Sequence, residues 1–189
     1  MTYDLPPAYA FLADEPAPRM LLEALRLYGT LEAPGKRDNP VILAWADELA
    51  KVPGLAWLGS WYEEDSIPWC GLFMGIVAHR AGKPVQGDLL AARGWLDWGN
   101  AVDGEPVLGD VLVFWRGSRH GRSGHVGLYV GEDAEHYHVL GGNQSDAVTI
   151  TRISKARLLA ARNLYRYAQP DNCRRIEIAA DGDVSENEA

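Results

Sequence analysis

The sequence predicts an α+β fold, with helices in the first half of the chain and an antiparallel sheet in the second. Apolar residues follow helical spacing up to about residue 98, and short β-type runs replace them after Pro106. These runs lie close together in sequence, which favours antiparallel pairing, because a parallel crossover needs about a dozen residues or more. With 189 residues, 47% of them hydrophobic, the chain can form one substantial core.

Three helices and a fourth helical segment are predicted from apolar spacing and from capping residues. In chain order they are a helix from Pro18 to Gly29, one from the Asn39 cap to Pro53, one from Cys70 to Gly82, and a segment capped by Asp88 that carries Leu89, Ala92 and Trp95. Asn39-Pro40 is the clearest start signal, because it pairs an N-cap residue with proline at the first helical position.

Five strands are predicted from runs of β-branched and aromatic residues. They cover residues 111–115, 125–130, 136–140, 148–153 and 163–168, and Gly131-Glu132-Asp133 is predicted to form a hairpin turn. We assign residues 18–168 to one catalytic domain, residues 1–17 to an irregular Pro-rich segment, and residues 169–189 to an acidic, disordered tail. Beyond Arg175 this tail has no Lys or Arg.

Charge and cysteine content argue against several functional classes. The net charge of −8 makes broad attraction to nucleic acid or anionic membranes an unlikely basis for function. Two cysteines provide neither a disulfide framework nor a four-ligand zinc site. The N-terminus lacks the pattern of a signal peptide, and no apolar stretch is long enough to span a membrane, so we expect no membrane insertion and synthesis in the cytoplasm.

Cys70 is the candidate nucleophile because it opens the apolar stretch of the third predicted helix. Free N–H groups and the positive end of the helix dipole favour thiolate there, and can lower a cysteine pKa from about 8.5 to roughly 3.5–7.5. His125 is the candidate base, since it begins an apolar strand directly after a Gly-rich loop. Cys173, in a polar context, is interpreted as an incidental surface thiol.

Two residues compete for the role of orienting the His125 ring. His138 lies on the strand after the hairpin, and Asn143 follows Gly141-Gly142 where that strand ends. Alternate positions of a strand point to opposite faces, so we expect only one of the two to face His125 unless a bulge intervenes.

Five segments together resemble the NlpC/P60 and CHAP superfamily of papain-like cysteine peptidases. They are Pro-Trp-Cys-Gly-Leu-Phe at 68–73, Ala-Arg-Gly-Trp-Leu-Asp-Trp-Gly at 92–99, the run from Pro106 to Phe114, Gly-His-Val-Gly-Leu-Tyr-Val-Gly at 124–131, and Leu-Gly-Gly-Asn-Gln at 140–144. The resemblance covers roughly residues 18–168. It implies a papain-like fold in which N-terminal helices pack on a C-terminal antiparallel sheet.

The resemblance also implies peptidoglycan as substrate, cleavage of an amide bond through Cys70 and His125, and no metal or other cofactor. Asn143 matches the third polar position, whereas many NlpC/P60 proteins use a second histidine, which favours His138. CHAP proteins often carry a glutamate two residues before their asparagine, and Gly141 stands there instead. The implied settings are a phage endolysin released by a holin, or an antibacterial effector with an immunity protein, acting on the cell wall after release or delivery.

Aromatic and basic residues provide candidate substrate contacts. Trp69, Trp95 and Trp115 could line a groove for peptide or glycan, although tryptophans at such spacings are more often core residues. The loop from Arg116 to Arg122 contains three arginines and could form an anion-binding lip over the cleft. Alternative functions are a non-catalytic wall-binding or virion module and an amidase with a non-wall substrate.

Overall fold

The computed structural model describes residues 4–35, 37–165, 168–179 and 184–185. Within them, four α-helices occupy the first half of the chain: α1 (Arg19–Arg26), α2 (Pro40–Leu49), α3 (Leu58–Trp61) and α4 (Cys70–Arg80). Short 3-10 helices lie at Pro7–Asp14, Ala92–Asp97 and Lys155–Arg157. At the start of α2, the Asn39 side chain accepts a hydrogen bond from the Val41 amide, as its predicted capping role requires.

The strands form one antiparallel sheet in the described part of the chain. They are β1 (Asn100–Ala101), β2 (Val111–Trp115), β3 (Gly124–Glu132), β4 (His136–Gly141), β5 (Thr149–Ser154) and β6 (Leu158–Asn163), in the spatial order β1-β6-β2-β3-β4-β5. The β3–β4 hairpin turns at residues 133–135, close to the predicted turn. The chain is therefore a mixed fold of helices and antiparallel sheet, as the α+β prediction requires.

Helix α4 lies at the centre of the main core. Nine consecutive residues of this helix, 70–78, are buried, because α1 and α2 pack on it from one side and β3 from the other. A helix covered on both sides needs apolar residues all round, which explains its continuous apolar sequence. A second, smaller cluster on the other face of the sheet comprises Leu112, Phe114, Tyr129, Tyr137, Val139 and Ile153.

Some boundaries differ from the prediction. The last strand is Leu158–Asn163 and not 163–168, of which residues 166–167 lie outside the described residues. Its Leu-Leu-Ala-Ala sequence favours helix, but pairing with β2 imposes an extended conformation. The segment after Asp88 is a 3-10 helix that begins only at Ala92. The N-terminal segment is not irregular, because the Pro7–Asp14 helix buries Tyr9 and Leu12.

The described part of the predicted tail packs against the fold. The carbonyl of Ile176 accepts a hydrogen bond from the Glu132 amide, and the Glu132 carbonyl accepts one from the Ile178 amide. The buried Glu132 carboxylate pairs with Lys155 and Arg175. The prediction of a disordered tail is therefore wrong for residues 171–178, while 180–183 and 186–189 lie outside the described residues. No helix among the described residues is both long and apolar enough to cross a membrane.

Candidate active site

Cys70 is the first residue of α4, as predicted, and its side chain is nearly buried, with 7% exposed. The first turn of this helix is closely covered by the 89–90 segment. A Cβ atom at Gly71 would lie 2.2 Å from the carbonyl oxygen of Leu89, so glycine is required for that approach. The thiol therefore lies at a helix N-terminus where backbone N–H groups have no intrahelical partners.

The Cys70 thiol meets the start of β3. Its pKa is influenced by the backbone N–H groups of Val126 and Gly71, so the sulfur lies beside the residue that follows His125. Burial nevertheless raises the pKa of the thiol above its ordinary value, and these amides and the charge of Arg116 offset the increase only in part. The predicted lowering of the pKa is therefore wrong for the free protein, because desolvation outweighs the helix terminus.

His125 is the second residue of β3 and is almost fully buried. Its Nε2 atom lies 2.9 Å from the Oε1 atom of Gln144. The Gln144 amide is also buried, and its Nε2 atom donates to the carbonyl oxygens of Val139 at 3.2 Å and Thr149 at 2.6 Å. Gln144, which the sequence analysis includes in a motif but not among the site residues, is thus the side chain bonded to the His125 ring.

These contacts fix the proton on the His125 ring. Two carbonyl acceptors identify the NH₂ group of Gln144, so its oxygen must face the histidine and can only accept. The Nε2 atom of His125 is therefore the N–H donor, and the neutral ring has its basic lone pair on Nδ1. With Nε2 protonated, Nδ1 is the ring nitrogen that can accept a proton, which is the division of roles found in a catalytic triad.

Asn143 lies close by but acts on the helix and not on the histidine. Its Oδ1 atom accepts a hydrogen bond of 3.0 Å from the backbone N–H of Trp69, the residue before Cys70. Asn143, Ser145 and Asp146 all have positive φ angles of 51–58°. Asn and Asp tolerate this left-handed conformation better than most residues. Asn143 therefore positions the start of α4.

His138 lies in a different buried cluster. Its Nε2 atom donates to the Asp133 carboxylate at 3.1 Å, and its Nδ1 atom accepts from the Tyr9 hydroxyl at 2.9 Å. Burial lowers the pKa of His138 despite the neighbouring carboxylate. Since both ring nitrogens have these partners, His138 cannot orient His125, and the prediction of that role is wrong.

The glycine at 141 leaves room for the pair of His125 and Gln144. A Cβ atom there would lie 2.7 Å from Oε1 of Gln144 and 3.1 Å from Nε2 of His125. A glutamate at this position, as in many CHAP proteins, would compete with Gln144 for the same space. Gly141 at the end of β4 therefore leaves the space in which Gln144 bonds to the His125 ring.

The tryptophans are mostly structural. Trp69 and Trp95 are fully buried, so the prediction that they contact substrate is wrong. The Trp69 indole donates to the Glu32 carboxylate at 3.0 Å, and the Trp95 indole donates to the Leu89 carbonyl at 2.9 Å. Trp115 is half-buried beneath the guanidinium of Arg157 and keeps an exposed surface, so its substrate contact stays a prediction.

Comparison of the chain with known protein families gave no match, and comparison with curated proteins gave none either. Within residues 4–35, 37–165, 168–179 and 184–185, no three His, Cys, Asp or Glu side chains are grouped so as to hold a metal ion. A thiol, a correctly tautomerised imidazole and a fixed amide are the components of nucleophilic acyl transfer.

Proposed function

We propose that this protein is a papain-like cysteine hydrolase that cleaves amide bonds of peptidoglycan. The observation that carries the proposal is that the Cys70 thiol meets the backbone of Val126, the residue after His125, whose ring Gln144 holds with its basic nitrogen at Nδ1. Burying a histidine that is bonded to an amide, which is itself bonded to two carbonyls, costs free energy of desolvation and ordering. Such pre-organisation is expected where a histidine must transfer protons in a defined direction.

The reaction proceeds in two steps. Nδ1 of His125 accepts the thiol proton as Cys70 attacks the carbonyl carbon, and a C–S bond forms. The imidazolium then protonates the amide nitrogen, the C–N bond breaks, and an amine leaves a thioester behind. In the second step His125 removes a proton from water, which attacks the thioester and releases the acid and the thiol.

The start of α4 stabilises the charge that develops on the substrate oxygen. The backbone N–H of Cys70 and the positive end of the helix dipole both favour an oxyanion at this place. The resting thiol is neutral because burial raises its pKa. Proton transfer to His125 is therefore coupled to attack on bound substrate, and the free enzyme holds little thiolate.

Peptidoglycan is proposed because of the resemblance to NlpC/P60 and CHAP proteins described above. The test is mass spectrometry of fragments released from purified peptidoglycan by the wild type, by Cys70→Ala and by Cys173→Ala. We expect fragments from the wild type and from Cys173→Ala only, and their ends identify the bond. Release by Cys70→Ala at the wild-type rate would overturn the proposal.

A second candidate is an amidase with a non-wall substrate, since the same three residues serve any acyl transfer. A third is a wall-binding or virion module without turnover, which the raised pKa of Cys70 favours. Turnover of small amides without release of wall fragments would support the amidase. Binding to peptidoglycan without turnover of either substrate would support the module.

A further inference from the structure

Arg116 is a cation at the end of β2, opposite the start of β3, where His125 lies. It directly follows β2 and is half-buried. Its backbone N–H donates to the carbonyl of Ser123, two residues before His125. Among the described residues, no carboxylate pairs with its guanidinium and no hydrogen bond engages it. Its charge still reaches Cys70, because it contributes to lowering the pKa of that thiol.

The loop that follows Arg116 is held in place by another arginine. The guanidinium of Arg93 donates to the carbonyl oxygens of Ser123 at 3.0 Å, Arg119 at 3.1 Å and Ser118 at 3.0 Å. Three bonds from one side chain are enough to order a short loop. The loop of residues 116–123 carries three arginines and no acidic residue, in a chain with a net charge of −8. It is therefore a fixed basic edge in an acidic protein.

We propose that Arg116 binds a carboxylate of the substrate, and that the enzyme prefers amides whose amine-supplying residue carries a free carboxylate. This inference rests on the proposed acyl-transfer function. The leaving nitrogen must face His125, which protonates it. Arg116 lies close to His125, because β2 pairs with β3 so that Phe114 is opposite His125, and the Arg116 amide bonds to Ser123 just before β3. A guanidinium there can bind the carboxylate without taking part in bond breaking.

The test compares two alkylating reagents that differ in one carboxylate. Iodoacetate and iodoacetamide react with the same thiolate, so the ratio of their rates cancels any change in the pKa of Cys70. Rates at Cys173 in the same sample give the ratio for a thiol outside the site. We expect Arg116→Gln to lower the Cys70 ratio of iodoacetate to iodoacetamide by about tenfold, the size of one charge-assisted contact. Arg116→Lys should retain much of the wild-type ratio.

Arg122→Gln is the matched control, since it removes the same charge from an exposed position of the same loop. An equal ratio in the wild type and Arg116→Gln would overturn the proposal, as would an equal loss in Arg122→Gln. Failure of both reagents to label native Cys70 would also overturn it, because a site for carboxylate substrates must admit a two-carbon acid. If Cys70 of the wild type shows the expected ratio of iodoacetate to iodoacetamide rates but the protein releases no wall fragments, only the proposed peptidoglycan substrate is contradicted.

Discussion

Replacing Gln144 by alanine tests the reasoning about the site most directly. The change removes the Oε1 atom that accepts from Nε2 of His125 at 2.9 Å, and leaves a buried ring N–H without this acceptor. Such a loss costs about 1–3 kcal/mol. If that energy is what favours the reactive tautomer of His125, its loss lowers the rate constant of amide hydrolysis. At about 1.4 kcal/mol per factor of ten, we expect a fall of about ten- to one-hundredfold.

The assay is the initial rate of amide hydrolysis for Gln144→Ala, Asn143→Ala and His138→Ala under identical conditions. Asn143→Ala loses the bond to the Trp69 amide, so we expect lower stability with a smaller loss of rate. His138→Ala should lower stability alone, since its ring bonds to Asp133 and Tyr9. Nitrogen-15 shifts of the His125 ring give a readout without substrate, and the Nε2–H tautomer should lose its dominance in Gln144→Ala.

A clear result would refute this assignment. If Gln144→Ala keeps the wild-type rate and tautomer while Asn143→Ala or His138→Ala loses a hundredfold, the hydrogen bond from His125 to Gln144 has no catalytic role. Gln144→Glu is a useful companion, because it keeps the volume and the accepting oxygen. It replaces the NH₂ group that faces the carbonyls of Val139 and Thr149, so we expect a loss of stability.

Three further predictions concern Gly141, Cys70 and Asp133. Gly141→Ala places a Cβ atom 2.7 Å from Oε1 of Gln144, so we expect a loss in kcat of about tenfold together with a lower Tm. Burial raises the pKa of Cys70 above that of an ordinary thiol, so its alkylation without substrate should titrate at a higher pH than that of a small-molecule thiol, and a lower midpoint would contradict this. Asp133→Asn should lose about 3 kcal/mol in urea unfolding at neutral pH, because the buried salt bridge between Asp133 and Arg152 is lost. Despite burial, hydrogen bonds hold the pKa of Asp133 low, so the wild-type advantage should shrink as pH falls below about 4, and a constant difference would refute the assignment.

Local signals in the sequence were sufficient for the elements that carry Cys70 and His125. Pro68 and a continuous apolar run indicate a buried helix that begins at the cysteine, and the structure has this helix at Cys70–Arg80. A Gly-rich loop before a β-type run indicates the start of a strand at His125, and β3 begins one residue earlier. Both signals depend only on neighbouring residues, which explains why they are readable from a single sequence.

The third polar residue could not be found in this way. Strand alternation applies while a strand continues, but β4 ends at Gly141, and Asn143, Ser145 and Asp146 in the following turn adopt positive φ angles. The direction of the Asn143 side chain is set by its bond to Trp69, and that of Gln144 by its bond to His125, and both partners are distant in sequence. The Gly-Gly-Asn-Gln segment contains the side chain that bonds to His125, but which of its residues makes this bond depends on the fold.

The raised pKa of Cys70 follows from the same packing that makes the site precise. The 89–90 segment and β3 cover the first turn of α4 and fix the position of the Cys70 sulfur. The same cover excludes water that would stabilise a thiolate.

The 142–147 loop connects this helix to His125, because Asn143 holds the residue before Cys70 and Gln144 holds His125. One short loop thus sets both the position of Cys70 and the tautomer of His125. Substitutions in this loop should therefore change rate and stability together, whereas changes at Arg116 should change substrate preference and the pKa of Cys70.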